Sequence, residues 1–338
     1  MSKVKVIIDP AFNVYYSAFY VKALIDKFGD ESICFDSRPF NKLIDRIINF
    51  NFVIIRNGVE TKYSIHVDDP YHIKPELYDW CDVYGNVNAN FGQTPEKYHD
   101  KLVSLVPSFG IRLWNLPQTI LYACMNGMRV VGDTNIQKFL GKYKRQFSLR
   151  LPYDCYETHN YPRDNYVFHL STLWYSNAEN KNDEKVNSVR ANFIRACKSV
   201  DGIQFEGGFS KTAQSTMNEM FSPLIYSEFI PMEVYMEKIK ESMLVFNTPA
   251  FWDCHGWKLG EYLCLGKAII STKLSNDLPA PLIHGEQIHY VENSEAAMRE
   301  AIVLLADDVE YRRKLERGAR EYWERYGAPE RVLELMGI

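Results

Sequence analysis

The chain has 338 residues, enough for two domains at about 150 residues each. With 46% hydrophobic and 24% charged residues it has the composition of a globular protein, which excludes collagen-like, intrinsically disordered and disulfide-scaffold classes. The net charge of −4 is unevenly spread, +4 over residues 1–150 and −8 over the remainder, which predicts two domains in different surroundings and argues against a nucleic-acid partner.

In chain order, the apolar run Val4–Ile8 predicts a strand, and apolar spacing over 15–28 predicts a helix stopped by Gly29. Further strands are expected at 32–35, 52–56 and 62–67, the last running into Asp68-Asp69-Pro70. Leu43, Ile44, Ile47 and Ile48 give residues 40–50 helical spacing. Strand alternating with helix implies βαβ units and a mainly parallel sheet. Residues 116–128 read as a helix, 138–151 as a basic, irregular connector, and Pro152 and Pro162 mark the domain crossover.

The second half repeats the rhythm: strand 165–170, helix 184–200, strand 202–205, then a tight loop at Glu206-Gly207-Gly208-Phe209. A helix at 231–242, a strand at 243–247, a helix at 257–265 ended by Gly266 and a strand at 267–271 follow, and the chain is helical from 295 almost to its end. No internal repeat or low-complexity tract is present.

Seven scattered cysteines form no C-x-x-C pair, so neither a disulfide framework nor a zinc knuckle is expected and a reducing, cytoplasmic setting fits. No signal-peptide core opens the sequence, and no apolar stretch approaches the roughly 18 residues of a membrane span.

The chemistry concentrates in Asn247-Thr-Pro-Ala-Phe-Trp-Asp253-Cys-His255-Gly256-Trp-Lys258-Leu-Gly-Glu261 and the helix that it enters. Gly256 falls at that helix's N-terminus, where backbone N–H groups and the helix dipole favour a phosphate. Lys258 and Glu261 are three apart and share a face. Glu261 stands roughly 7 Å along the axis from Gly256, at 1.5 Å per residue. That is the reach from a pyrophosphate to its ribose, and a carboxylate accepts both protons of a vicinal diol. Lys258 is a candidate diphosphate ligand or a surface lysine. His255 is read as a structural residue or a donor-side hydrogen-bonding residue rather than a metal ligand, since no second ligand lies at metal spacing.

This segment resembles the GT-B glycosyltransferases, in particular the retaining nucleotide-sugar enzymes of the family-four and family-one-like group. Their Glu, seven residues, Glu pattern is matched by Asp253 and Glu261, with Asp for the first Glu; Gly256 and Gly266-Lys267 match its glycine and turn, and Ala268 replaces the usual proline. The resemblance covers about 243–335. It implies two Rossmann-like α/β domains facing each other across a cleft: an acceptor domain over 1–155, a nucleotide-sugar domain over 156–320, and a C-terminal helix, 321–338, that packs back on the first. It further implies that Glu261 contacts the donor ribose and that Asp253 lies near the transferred sugar. The first βα loop, Asp9-Pro-Ala-Phe-Asn13, departs from the group in lacking a glycine-rich turn.

Gly207, Gly208 and Lys211 follow a second-domain strand and are further donor-side candidates, with a plain turn as the alternative. Asp68 and Asp69, with His66 or His72, sit at a first-domain strand end, where α/β sheets place ligands; they are acceptor-side or general-base candidates, or simply a turn. The basic and aromatic run 141–150 is a candidate for peripheral contact with the inner face of a membrane, or a solvated connector. The expected activity is transfer of a sugar from a nucleotide-diphosphate sugar to a hydroxyl of a glycan or lipid-linked glycan, with retention and without metal or other cofactor, as in polysaccharide biosynthesis. The alternatives are a non-hydrolysing nucleotide-sugar 2-epimerase and a non-catalytic nucleotide- or sugar-binding protein.

Overall fold

The computed structural model describes residues 4–44, 46–132, 134–157, 160–174, 182–211 and 219–338. The chain divides into two units: unit 1 comprises Met1–Cys155, Asn276–Ala280 and Arg325–Ile338, and unit 2 comprises Tyr156–Ser275 and Pro281–Glu324.

Unit 1 begins with β1 (Val4–Ile8) and α1 (Val14–Phe28), followed by β2 (Ile33–Phe35), β3 (Asn49–Arg56), β4 (Val59–His66), α2 (Pro75–Trp80), β5 (Val83–Asn86) and β6 (Leu102–Ser104). The strands form one six-stranded sheet in the order β2-β1-β3-β4-β5-β6. Pairs β1/β2, β4/β5 and β5/β6 are parallel, whereas β3 is antiparallel to both of its neighbours, so the sheet is mixed rather than mainly parallel. The cause is a hairpin. Asn57 and Gly58 both have positive φ, 54° and 83°, and close β3 onto β4 with Arg56 opposite Val59. This is the two-residue turn that asparagine-glycine favours, because its twist matches that of the strands.

The hairpin also overturns the helix expected over 40–50. Residues 41–44 and 46–48 are loop and turn, and β3 starts at Asn49, pairing with β4 from its first residue and with β1 from Phe52 onward. Ile44 is 64% exposed, so the apolar spacing there marks no buried helical face. Phe50 and Phe52 are fully buried, and rings from Phe12, Tyr20 and Tyr63 pack against them.

Beyond the sheet lie α3 (Leu116–Arg129), α4 (Ile136–Leu149) and the short α5 (Asp154–Glu157). The segment read as an irregular connector is therefore mostly helix. Asn135 caps α4 by accepting from Lys138 N at 3.0 Å, and Phe139, Tyr143 and Gln146 bury one face at helical spacing. α4 packs on α3 and α1. The five-residue segment Asn276–Ala280 also belongs to unit 1: Asp277 N donates to Ala89 O, its carboxylate accepts from Phe91 N, both at 2.7 Å, and its carbonyl accepts from Ser104 Oγ at 2.9 Å.

Unit 2 contains β7 (Tyr166–Thr172), α6 (Asn182–Ser199), β8 (Gln204–Ser210), β9 (Ile225–Tyr226), α7 (Met232–Glu241), β10 (Val245–Asn247), α8 (Trp257–Leu265), β11 (Ile269–Ser271), β12 (His289–Tyr290), α9 (Glu295–Asp307) and α10 (Val309–Tyr322). The ladders run β9-β8-β7 and β10-β11-β12, and every pair is parallel. Met243 N donates to Tyr166 O at 2.8 Å and Phe168 N to Ser242 Oγ at 2.9 Å, which sets β7 beside β10. Two three-stranded parallel sheets thus lie side by side, with the strands in the order β9-β8-β7-β10-β11-β12, third-second-first-fourth-fifth-sixth along the chain. That is the doubly wound Rossmann order, with its switch point between β7 and β10.

Phe193 stacks on Phe246 at 4.3 Å in the core, which Val167, Ile270, Met298 and Ile302 help to fill. Lys267 is fully buried; its Nζ donates to Lys240 O at 3.1 Å and Ser242 O at 2.5 Å, satisfying carbonyls at the C-terminus of α7. After α10 the chain returns to unit 1 as α11 (Pro329–Leu335), which packs on α1.

The loop expected at Glu206–Phe209 is the middle of β8. Gly207 and Gly208 pair in register with His169 and Leu170, at φ 123° and 147°. A Cβ on Gly208 would lie 2.3 Å from Leu224 O. The glycines are there because neighbouring backbone occupies the side-chain positions, and a turn signal and a close-approach signal look the same in sequence.

Candidate functional site

Sheets of this order take ligands at the carboxyl ends of the strands flanking the switch point. Here those ends are Thr172 of β7 and Asn247 of β10. The segment after β7 is held by α6: Asn187, 2% exposed, accepts from Trp174 N at 3.0 Å and donates to Trp174 O at 2.7 Å. Arg190, one turn further on α6, donates to Thr172 O at 2.9 Å.

The segment after β10 carries the residues singled out in the sequence. Asn247 donates to Ser271 Oγ at 3.0 Å, and Thr248 and Thr272 share a hydroxyl hydrogen bond of 2.8 Å, tying β10 to β11 at this edge. The chain then makes a tight loop, with Ala250 N bonded to Cys254 O at 2.8 Å and Asp253 N to Ala250 O at 3.1 Å. Trp252 and Asp253 inside it both adopt positive φ, 60° and 55°. Two successive left-handed residues that are not glycine are strained, and such strain gathers at binding and catalytic loops. Asp253 is half-buried and meets Lys185 at 3.2 Å. His255 is buried, and Trp174 stacks on Phe251 at 5.8 Å beside the loop.

Gly256 is the N-cap of α8, as expected, with its φ of −72° in the ordinary extended range. A Cβ there would meet only Ala250 Cβ, at 3.9 Å. The first turn of α8 presents backbone N–H groups that have no partner within the helix. Lys258 and Glu261 follow one turn apart. Lys258 Nζ donates to Leu170 O near the end of β7 and lies 5.8 Å from the centre of the Tyr235 ring. Burial and the Arg190 guanidinium push Lys258 down to about 8, against the opposing pull of the Glu261 carboxylate. Glu261 is 6% exposed, and burial, with a smaller contribution from its charge, raises the phenols of Tyr235 and Tyr262. Burial and the two nearby cations hold His169, beneath this group, well below its usual range.

The structure therefore brings Asp253, His255, Gly256, Lys258 and Glu261 together at the switch point of unit 2, as consecutive parts of one loop and helix. Lys258 and Arg190 beside the helix N-terminus offer donors that suit an anionic group, while the Asp253 carboxylate is paired with Lys185 and Glu261 lies one turn further along α8. Sequence reasoning missed Arg190 and Tyr235; Arg190 lies on a helix whose spacing gave no reason to single it out. Lys211 is exposed at the end of β8, after the two glycines now explained by sheet packing.

Asp68 and Asp69 lie in unit 1, in the turn after β4. Asp68 is exposed and its carbonyl accepts from Asn88 Nδ2 at 3.0 Å. With burial, the charges of Asp69 and Asp68 raise the phenol of Tyr16 on α1. His66 is the last residue of β4. It is 1% exposed, with Nε2 2.8 Å from Pro70 O and Nδ1 2.9 Å from Asn49 Oδ1.

Among the described residues no group of three or more His, Cys, Asp or Glu side chains is arranged to hold a metal ion. No described helix is long and apolar enough to cross a membrane.

No family model matches the sequence, and no curated protein does. Solved structures do. TarM matches with 14% identity and a TM-score of 0.37, over 53% of this chain and 37% of TarM. A glycosyltransferase from Rickettsia africae ESF-5 matches with 12% identity and a TM-score of 0.41, over 79% of this chain and 66% of that one. UDP-GlcNAc 2-epimerase from Neisseria meningitidis, bound to UDP-GlcNAc, matches with 12% identity and a TM-score of 0.38, over 77% of this chain and 68% of that one. The chain thus spans little more than a third of TarM and just under two thirds of the Rickettsia protein.

Proposed function

We propose that this chain is a GT-B-type glycosyltransferase that moves a sugar from a nucleotide-diphosphate donor to a hydroxyl of a glycan or lipid-linked glycan, with retention. The observation that carries the reading is the start of α8 at Gly256 where the two parallel sheets of unit 2 meet, with Lys258, Arg190 and Glu261 around it.

In this reading the α8 N-terminus and Lys258 hold the diphosphate, with Lys211 as a further cation. Lys258 spends one of its three N–H groups on Leu170 O and keeps two for phosphate oxygens. Glu261 accepts the two ribose hydroxyls, and Asp253 stands beside the transferred sugar. The bond from the anomeric carbon to the donor phosphate breaks, the bond to the acceptor oxygen forms on the same face, and the acceptor proton passes to the departing phosphate. Asp68 and Asp69 of unit 1 are the acceptor-side residues. No metal is required.

The test is incubation of the full chain with nucleotide sugars and glycan or lipid-linked acceptors. Transfer, or slow donor hydrolysis without acceptor, supports the proposal. Epimerisation at the sugar C2 without transfer replaces it with a 2-epimerase, and tight binding without turnover replaces it with a binding protein. Glu261→Gln checks the ribose contact. Charge-assisted hydrogen bonds contribute about 1.5–3 kcal/mol, so nucleoside diphosphate affinity should fall roughly 10- to 100-fold. A 2′,3′-dideoxy nucleotide should bind both forms alike. Equal losses for ribo- and dideoxynucleotides would make Glu261 a structural helix residue.

A further inference from the structure

The outer face of α3 and α4 in unit 1 is apolar where a solvated helix pair is polar. On α3, Leu116, Ile120 and Met128 recur at intervals of one or two turns and are 50%, 56% and 72% exposed, and Leu121 beside them is 54% exposed. On α4, Ile136 and Leu140 are 39% and 41% exposed. The two sets join at Gly127: a Cβ there would lie 3.3 Å from Ile136 Cδ1 and 3.8 Å from Leu140 Cδ2. The residues therefore form one continuous patch rather than scattered exposures. Singly exposed apolar residues need no explanation, but a contiguous patch marks an interaction surface.

Charge decides what covers it. Residues 116–150 contain six basic residues and one acidic residue, Asp133. Arg129, Lys138 and Lys144 are exposed, and Lys144 extends the one-turn series Ile136, Leu140 along α4. Apolar side chains on one helical face, bordered by lysines, form the pattern by which helices lie in the headgroup layer of an anionic bilayer. A second copy of the chain is a poorer occupant. Two-fold pairing of this face would set the cations of both copies against each other.

We propose that the α3–α4 face docks on an anionic lipid bilayer, with Ile120, Leu121 and Met128 in the headgroup–acyl boundary and Lys138 and Lys144 among the lipid phosphates. The contact is peripheral. It is centred on α3 and the start of α4, shares only Lys144 with the 141–150 run that the sequence suggested, and does not depend on the enzymatic reading.

Sedimentation of the full chain with vesicles tests it, using phosphatidylcholine alone and phosphatidylcholine with phosphatidylglycerol in equal parts. The chain should sediment with the mixed vesicles and far less with the neutral ones, and raised salt should release it. Each lysine near such a surface is worth about fivefold in affinity, so Lys138→Gln/Lys144→Gln should weaken binding by about 25-fold. Ile120→Gln/Leu121→Gln should weaken it at least as much, with an unchanged far-ultraviolet spectrum because both positions are exposed. Absence of binding to the mixed vesicles at low salt would overturn the proposal. So would equal binding to neutral vesicles. A wild-type dimer that ignores vesicles, and that the Ile120→Gln/Leu121→Gln variant splits into monomers, would assign the face to a second copy instead.

Discussion

The Cβ that Gly207 lacks would fall 1.9 Å from the carbonyl oxygen of His169, its register partner on the adjacent strand. No rearrangement of a flexible side chain relieves such a contact, because the obstacle is backbone. Gly207→Ala should therefore part β7 from β8 and cost more than about 4 kcal/mol, in the range reserved for strain at special backbone positions. Thermal unfolding measures this. A variant with wild-type melting that loses only ligand affinity would return Gly207 to the role of a phosphate-approach glycine.

The Lys258 ammonium gives the site its own pH dependence. With its folded-state pKa lowered to about 8, the lysine is charged below that value and neutral above it. If it holds a diphosphate, affinity for nucleoside diphosphates should decline as pH rises through about 8 and onward, and Lys258→Met should show a flat profile at the weaker level over the same range. Calorimetric titration at several pH values separates the two. A wild-type profile without the decline would remove Lys258 from the diphosphate contact.

Asp253 pairs a strained backbone with an exposed ion pair. Its φ of 55° favours glycine, and its contact with Lys185 involves side chains 47% and 65% exposed, a setting in which ion pairs contribute little. Asp253→Gly should thus leave the melting temperature unchanged or slightly raised, by relief of about 1 kcal/mol of strain. Sugar transfer should nonetheless fall sharply, with nucleotide affinity retained. Loss of stability together with intact transfer would make the aspartate a loop residue only.

His66 predicts acid sensitivity. Burial pushes its imidazole down to about 4, although its bond to Pro70 O works the other way. Between the unfolded value near 6.5 and the folded value near 4, the unfolded chain binds a proton that the folded chain does not. The stabilisation is complete above that window and is lost as pH falls through it, by roughly 3 kcal/mol in all. Urea unfolding at about pH 7 and about pH 5 should show the loss in wild type and much less in His66→Gln. Equal slopes would mean that another group carries it.

Much of unit 2 was legible because its signals are local. Residues 257–265 form α8 as read, since apolar spacing, the preceding glycine and the stop at Gly266 all agree. The misreadings occurred where two signals compete or where the deciding contact is distant. Leu43, Ile44, Ile47 and Ile48 have helical spacing, yet Asn57-Gly58 a few residues later is a stronger hairpin signal, and it draws Asn49–Arg56 into a ladder. The basic residues of 138–149 obscured a cap at Asn135 and a buried face at Phe139, Tyr143 and Gln146. Gly207-Gly208 reads as a turn until the carbonyls of His169 and Leu224 are seen against it. The motif residues of the site follow one another in sequence and were found together; Arg190 and Tyr235 come from other elements, so only folding brings them in.

The three-part composition of unit 1 bears on how the protein is made. Its sheet is synthesised first, but the Asn276–Ala280 segment that closes onto Ala89, Phe91 and Ser104, and the helix α11 that rests on α1, follow after most or all of unit 2. Chains usually complete their domains in the order in which the ribosome delivers them. Here the first unit to emerge is the last to be finished. During translation, the α1 surface that α11 will cover and the sheet edge that Asp277 will occupy stand open while unit 2 is being built. A nascent chain stalled before Pro329 should therefore engage chaperones or proteases through unit 1 while unit 2 already resists them.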